Sequence, residues 1–224
     1  MLIQSRGYRP SAAGAAILPL VVIVAALSRT SGMLADRFGA RLFLTVGPLV
    51  VGAGFLLFAL LPATGGYAAT VLPALCTLGL GLAITVAPLT AAVLGAVDRS
   101  DQGTASGINN AVARVAALLA VAVFGLIAAA TFNRELDRRL ADARVSAQVL
   151  QQLAPERVRL GALKPPPSAS ADEARAIRAA VKSGLDRSFR VTSQACAGLA
   201  LAAAACGALS AGAKRRADGN LRVS

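Results

Sequence analysis

The residues able to do chemistry in this chain are few. One compact charged group falls in the segment Gly32-Met33-Leu34-Ala35-Asp36-Arg37-Phe38-Gly39-Ala40-Arg41. One acid and two guanidiniums lie between two glycines, a set suited to electrostatic holding rather than bond-making. Asp36 stands just ahead of a long apolar run, where the positive end of a helix dipole favours an anion. Gly32 and Gly39 allow backbone conformations and close approaches that other residues resist. Read from residues alone, the segment is a loop of about ten residues that reverses the chain, with Asp36 as a cap and Arg37 and Arg41 as anchors in water. A second group, Asn109, Asn110 and Arg114, lies at the start of another apolar run. No catalytic set accompanies them. Histidine is absent, which removes imidazole ligands and relays from this sequence. Cys76, Cys196 and Cys206 sit in apolar runs and match no zinc or redox spacing. We therefore read no enzyme, no metal and no cofactor.

The elements that must position these residues are membrane helices. Leu42 through Val97 is a run of 56 residues without a charge, bounded by Arg41 and Asp98. As one helix it would be about 84 Å long, against a bilayer core of about 30 Å. Two antiparallel spans with a turn at Pro62-Ala63-Thr64-Gly65-Gly66 fit instead. Composition agrees, with mean hydropathy +0.64 and 15% charged residues, where a soluble chain carries about 25%. Five spans are predicted, over 11–28, 42–61, 68–95, 105–131 and 190–212. The chain is thus an all-α integral membrane protein, multi-pass, with the lipid bilayer as its first partner. The net charge of +12 lies in loops and tail and reads as orientation and headgroup contact, not nucleic-acid binding.

Arg29, Arg37 and Arg41 against Asp36 make the first loop basic. Lys214, Arg215, Arg216 and Arg222 against Asp218 do the same for the tail. Four spans separate the two, so both fit on the cytoplasmic side, with the N-terminus outside. Residues 132–189 then form a long extracytoplasmic segment. Leu136, Leu140, Ala143, Ala147 and Leu150 recur at helical spacing. Pro165-Pro166-Pro167 breaks the chain, and Ser170 is placed to cap a helix with Asp172 and Glu173 in its first turn. This reads as a helical hairpin, either a solvated cap or a gate over a substrate path; most charged helical faces are only solvated.

Two placements fit Arg114. It sits inside the fourth span, where an ionisable residue marks function, or at the membrane edge, since 115–133 alone is long enough to cross and arginine snorkels. Asn109 and Asn110 share this ambiguity, between bonds to other helices and hydration of a vestibule.

The segment from Gly32 to Arg41 resembles the G-x-L-A-D-R-x-G-x-R/K loop signature of the major facilitator superfamily. Leu2-Ile3-Gln4, Gly7-Tyr8, Ala13-Gly14 and Leu18-Pro19 resemble a late segment of fourteen-span drug:proton antiporters of the EmrB/QacA type. Gln102 to Gly107, Asn109-Asn110 and Arg114 resemble the start of their thirteenth span. The resemblance implies a partial C-terminal helix bundle, the last five of fourteen spans, in the cell (inner) membrane. It implies that Gly32, Asp36, Arg37, Gly39 and Arg41 form a latch that holds one transport state. Asn109, Asn110 and Arg114 would line the substrate path or pack helices. The substrate would be a drug or other small molecule, such as a lipophilic cation, exported by proton-coupled alternating access. The missing N-terminal spans would come from a separate chain or a longer one.

No Asp, Glu or His lies within the five predicted spans. A coupling carboxylate would therefore belong to the missing part, with Glu135, Asp137 and Asp142 of the hairpin the nearest substitutes here. The alternative reading is a non-transporting fragment, or an assembly partner of another transporter.

Overall fold

The computed structural model describes residues 10–60, 66–155 and 162–209. All regular structure among them is helical: α1 (Pro10–Ala15), α2 (Leu18–Phe38), α3 (Ala40–Leu60), α4 (Tyr67–Leu94), α5 (Gln102–Asp142), α6 (Ala147–Leu153) and α7 (Ala171–Leu209). Five of these, α2 to α5 and α7, are long and apolar enough to cross a membrane. Most of the predicted turn at 62–66 and the basic tail lie outside the described residues.

At about 1.5 Å per residue, α5 and α7 are each roughly 60 Å long, twice the bilayer core. Their charge-free stretches, 115–133 and 191–209, are each long enough to cross it. Charged residues occupy α5 from Arg134 onward and α7 up to Arg190.

Two differences from the sequence reading concern the first spans. Pro19 does not interrupt a span over 11–28; it sits in the first turn of α2, where its missing N–H has no partner to lose. The predicted ten-residue loop is also shorter. No residue from Gly32 to Phe38 breaks a helix, so α2 runs on through them. The chain reverses at Gly39 alone, with φ 89° and its N–H bonded to the Ala35 carbonyl at 2.8 Å. That positive φ is the conformation glycine adopts without strain.

The chain forms two compact units. The first contains α2, α3, α4 and the described ends of α5 and α7 within 14–117 and 193–224. Here α4 is the central helix, and small residues let its neighbours approach, as in membrane bundles generally. Gly79 faces α2: a Cβ there would stand 3.1 Å from the Leu20 carbonyl oxygen. Gly81, two residues on, faces α3, where a Cβ would stand 2.6 Å from the Val51 nitrogen. Gly54 of α3 accepts Leu78 of α4 in the same way. Pro48 inside α3 leaves the Leu44 carbonyl without its usual helical donor, and Gly207 of α7 packs directly on that carbonyl. Tyr67 at the start of α4 donates its hydroxyl to the Ala16 carbonyl at 2.7 Å.

The second unit contains the helical hairpin, α5 from Leu118, α6 and α7 up to Thr192, together with the described residues 10–13. Its core joins Phe132, Leu136 and Leu140 of α5 to Val149 and Leu153 of α6 and Ile177, Ala180 and Val181 of α7. Gly184 leaves room for the Phe132 ring, and the Ser188 hydroxyl donates to the Ala128 carbonyl at 3.0 Å. The predicted stripe through Ala143 and Ala147 is corrected. α5 stops at Asp142, Arg144 turns the chain with φ 50°, and both alanines are exposed. Restarting the helix at Ala147 re-aims the chain so that Val145, Val149 and Leu153 face inward.

Ser170 does cap α7. Its hydroxyl accepts from the Glu173 N–H at 3.2 Å, and Glu173 accepts from the Ser170 N–H at 2.9 Å, a reciprocal capping box. The same carboxylate accepts the Ser146 N–H of the α6 cap at 3.0 Å, so Glu173 ties two helix starts together. These bonds, from Ser146 first and then Ser170, lower its pKa from 4.5 to about 2. A carboxyl depressed by folding stabilises above its unfolded pKa, and that stabilisation fades as pH falls through the folded value. The hairpin is thus expected to lose stability from about pH 4.5 towards pH 2. Melting of Glu173→Gln, followed by circular dichroism, should change less over that window than wild type. Parallel curves would remove this role from Glu173.

Candidate functional site

The α2–α3 corner gathers the five residues of the Gly32–Arg41 motif. Gly32 lies 3.8 Å from the Ala87 methyl of α4, measured from where its Cβ would be. Ser31 and Ala35, one turn apart, are buried beside it. These contacts turn the inner face of α2 to the bundle and leave Asp36, Arg37 and Gly39 exposed. Arg37 lies over the Phe38 ring, 5.7 Å from its centre, in the last turn of α2, where the helix dipole favours a cation. Asp36 occupies that same last turn rather than an approach loop. The capping role expected for it is therefore corrected: Asp36 belongs to the C-terminal turn of α2, where the dipole disfavours an anion, and among the described residues it makes no bond to the start of α3.

Arg41 carries the contact that matters most. Its guanidinium donates to the Ala208 carbonyl at 3.0 Å. Ala208 lies in the last described turn of α7. The motif therefore does more than reverse the chain between α2 and α3: it reaches α7, 167 residues away. With Gly207 on the Leu44 carbonyl and Gly52 facing Ala197 and Ala200, α3 from Arg41 to Gly52 lies against α7.

Asn109, Asn110 and Arg114 all lie in the first part of α5. Asn109 is half-buried, and Asn110 and Arg114 are exposed. No hydrogen bond or ion pair joins them to the corner among the described residues. They form a separate polar patch on a helix whose apolar side chains, such as Ile108 and Val112, are also exposed.

Glu135, the nearest acid considered for coupling, is clamped. It accepts bonds from Arg138 at 2.8 Å and Arg139 at 2.9 Å, and from the Ser183 hydroxyl at 3.0 Å. Those arginines hold its pKa down at about 2, so it stays ionised at neutral pH and exchanges no proton there. Asp137 and Asp142 are exposed on the hairpin. No group of three or more metal-binding side chains occurs among the described residues.

Sequence reading missed two groups. The Ala208 carbonyl is backbone, and nothing in its residue type marks it. Arg134, Arg138, Arg187 and Arg190 passed as solvated surface. Their spacings of four and three residues put each pair on one helix face, a signal that was available.

The arrangement is an all-helical membrane protein with five helices long and apolar enough to span, of which α2, α3 and α7 meet at a charged corner. A family model described as Major Facilitator Superfamily matches residues 1–132, and the chain belongs to that superfamily of membrane transporters. It is similar to the multidrug resistance protein Stp of two strains of Mycobacterium tuberculosis. Identity is 32% over 167 residues, covering 71% of this chain and 31% of the relative. It is also similar to a triacylglyceride transporter of Mycolicibacterium smegmatis, 32% identical over 114 residues, covering 47% of this chain and 20% of the relative. The chain thus spans less than a third of the length of these curated relatives.

Proposed function

We propose that this chain is the C-terminal five-span part of a fourteen-span efflux transporter. It works with the remaining spans by alternating access around a site between two bundles. The substrate is a drug-like small molecule, and the hairpin stands on the extracytoplasmic side. The observation that carries the reading is the Arg41–Ala208 bond at the motif. It joins the start of α3 to α7 within one compact unit, so the motif helps hold that bundle together as it moves against the other. The relatives' names, a multidrug resistance protein and a triacylglyceride transporter, support transport of a small molecule. The large exposed apolar surface of α5, with Leu118 at 72% and Val121 at 75% exposure, suits packing against lipid and further spans. Since the predicted spans carry no acid, proton coupling is assigned to a carboxylate in those further spans.

The test uses a complete transporter containing this segment. Arg41→Gln should lower efflux of a fluorescent lipophilic cation about fivefold at equal membrane levels, the factor that about 1 kcal/mol gives. Asp36→Asn should lower it too. Wild-type efflux in both variants would reject the latch.

A further inference from the structure

The hairpin holds a pocket of about 710 Å³ between α5 and α7. Five guanidiniums line it, those of Arg134, Arg138, Arg139, Arg187 and Arg190. Glu135 and Asp186 are the carboxylates in the lining, which leaves three positive charges in excess. The excess is localised. Glu135 accepts from Arg138 and Arg139. Arg134, Arg187 and Arg190 are exposed and have no ion pair among the described residues. Asp186 does not clamp them through its buried Oδ1, which has no hydrogen-bond partner.

The depth of this pocket is fixed by sequence. Arg134 is the first charge after the apolar stretch 115–133, and Arg190 is the last before 191–209. Thr131 and Val191 line the pocket from the apolar side. Both helices thus leave the hydrocarbon at the pocket's edge, the level where lipid headgroups lie. Guanidinium is planar and offers paired N–H donors that match phosphate oxygens. A basic pocket at headgroup depth selects an anionic lipid.

We propose that this pocket binds the phosphate of an anionic phospholipid headgroup, with Arg134, Arg187 and Arg190 as its ligands. The proposal requires α5 and α7 to cross a bilayer; it does not require transport. A free phosphate offers the same oxygens, but the position beside Thr131 and Val191 favours the lipid-borne form.

The test is native mass spectrometry of the full chain. It is purified in detergent with equal amounts of phosphatidylglycerol and phosphatidylcholine of matched acyl chains. Wild type should retain phosphatidylglycerol at least about fivefold over phosphatidylcholine, the preference that one well-placed charge contact of about 1 kcal/mol gives. The triple variant Arg134→Gln/Arg187→Gln/Arg190→Gln should bring the ratio close to one. Arg175→Gln/Arg178→Gln/Lys182→Gln removes the same charge from α7 outside the pocket and should leave it unchanged. An equal loss in that control would mean diffuse surface charge and overturn the site. So would a wild-type ratio near one. Displacement of the lipid by millimolar inorganic phosphate would reassign the pocket to a soluble anion and overturn the lipid form. If the pocket variant fails to fold, the wild-type ratio and the phosphate competition still decide.

Discussion

Gly81→Leu is expected to separate α3 from α4 and leave little folded protein in the membrane. A Cβ at Gly81 would stand 2.6 Å from the Val51 nitrogen and 3.0 Å from the Gly47 carbonyl oxygen. Both are backbone atoms of α3, so no side-chain rotation relieves the clash. Even Gly81→Ala forces α3 to move and should cost about 1–3 kcal/mol, the range for overpacking a filled interior. Leucine adds three more carbons to the same space. The comparison is Gly107→Ala on α5, where nothing lies within 4 Å. That change should be neutral or gain up to about 1 kcal/mol from helix propensity. Fluorescence-detected size-exclusion chromatography after graded heating would rank the three variants against wild type. Equal melting of Gly81→Leu and wild type would show that α3 and α4 do not meet at this crossing.

The second large effect lies in the hairpin. Ile177 and Leu136 are fully buried, facing one another's helices across the core. Ile177→Asp places a carboxylate among aliphatic side chains and beside no described cation of that core. Burying an unpaired charge is among the most damaging single changes, and a loss above about 4 kcal/mol is expected. Leu136→Ala leaves a cavity instead and should cost about 2–5 kcal/mol. Hydrogen exchange followed by mass spectrometry separates local from global damage. Amides of α6 and of the charged part of α7 should lose protection in both variants, more in Ile177→Asp. Those of α4, which belongs to the other compact unit, should keep theirs. Unchanged protection in α6 would mean that the hairpin lacks the core described for it.

Much of this architecture was legible because bilayers impose simple rules. The 56-residue charge-free run had to hold two spans, and α3 and α4 fill it. Ser170, Asp172 and Glu173 announced a helix start, and α7 begins there, since capping depends on neighbours three residues apart. Local rules misled where two of them competed. Pro19 was read as an interruption, but the same residue is at ease in a first turn. Gly32 and Gly39 looked like the two ends of a loop; only Gly39 takes a positive φ, and the helix-compatible residues between them continue α2. The stripe at Leu136, Leu140, Ala143 and Ala147 had the right period, but Arg144 broke it, because an isolated positive φ outside glycine leaves little mark in sequence.

By itself, then, the sequence determined that this is a helical membrane protein, how many of its helices can span, and that its charged motif lies between two of them. Those properties follow from hydropathy, length and local backbone preference, which act over a few turns. The tertiary structure alone decided that Arg41 meets the carbonyl of Ala208, that Gly81 rather than Gly107 is the close crossing, and that arginines from two ends of the hairpin surround one pocket. Each depends on which helices become neighbours and in what register. That is set by the summed packing of many small residues across distant parts of the chain, and no single residue's chemistry reports it.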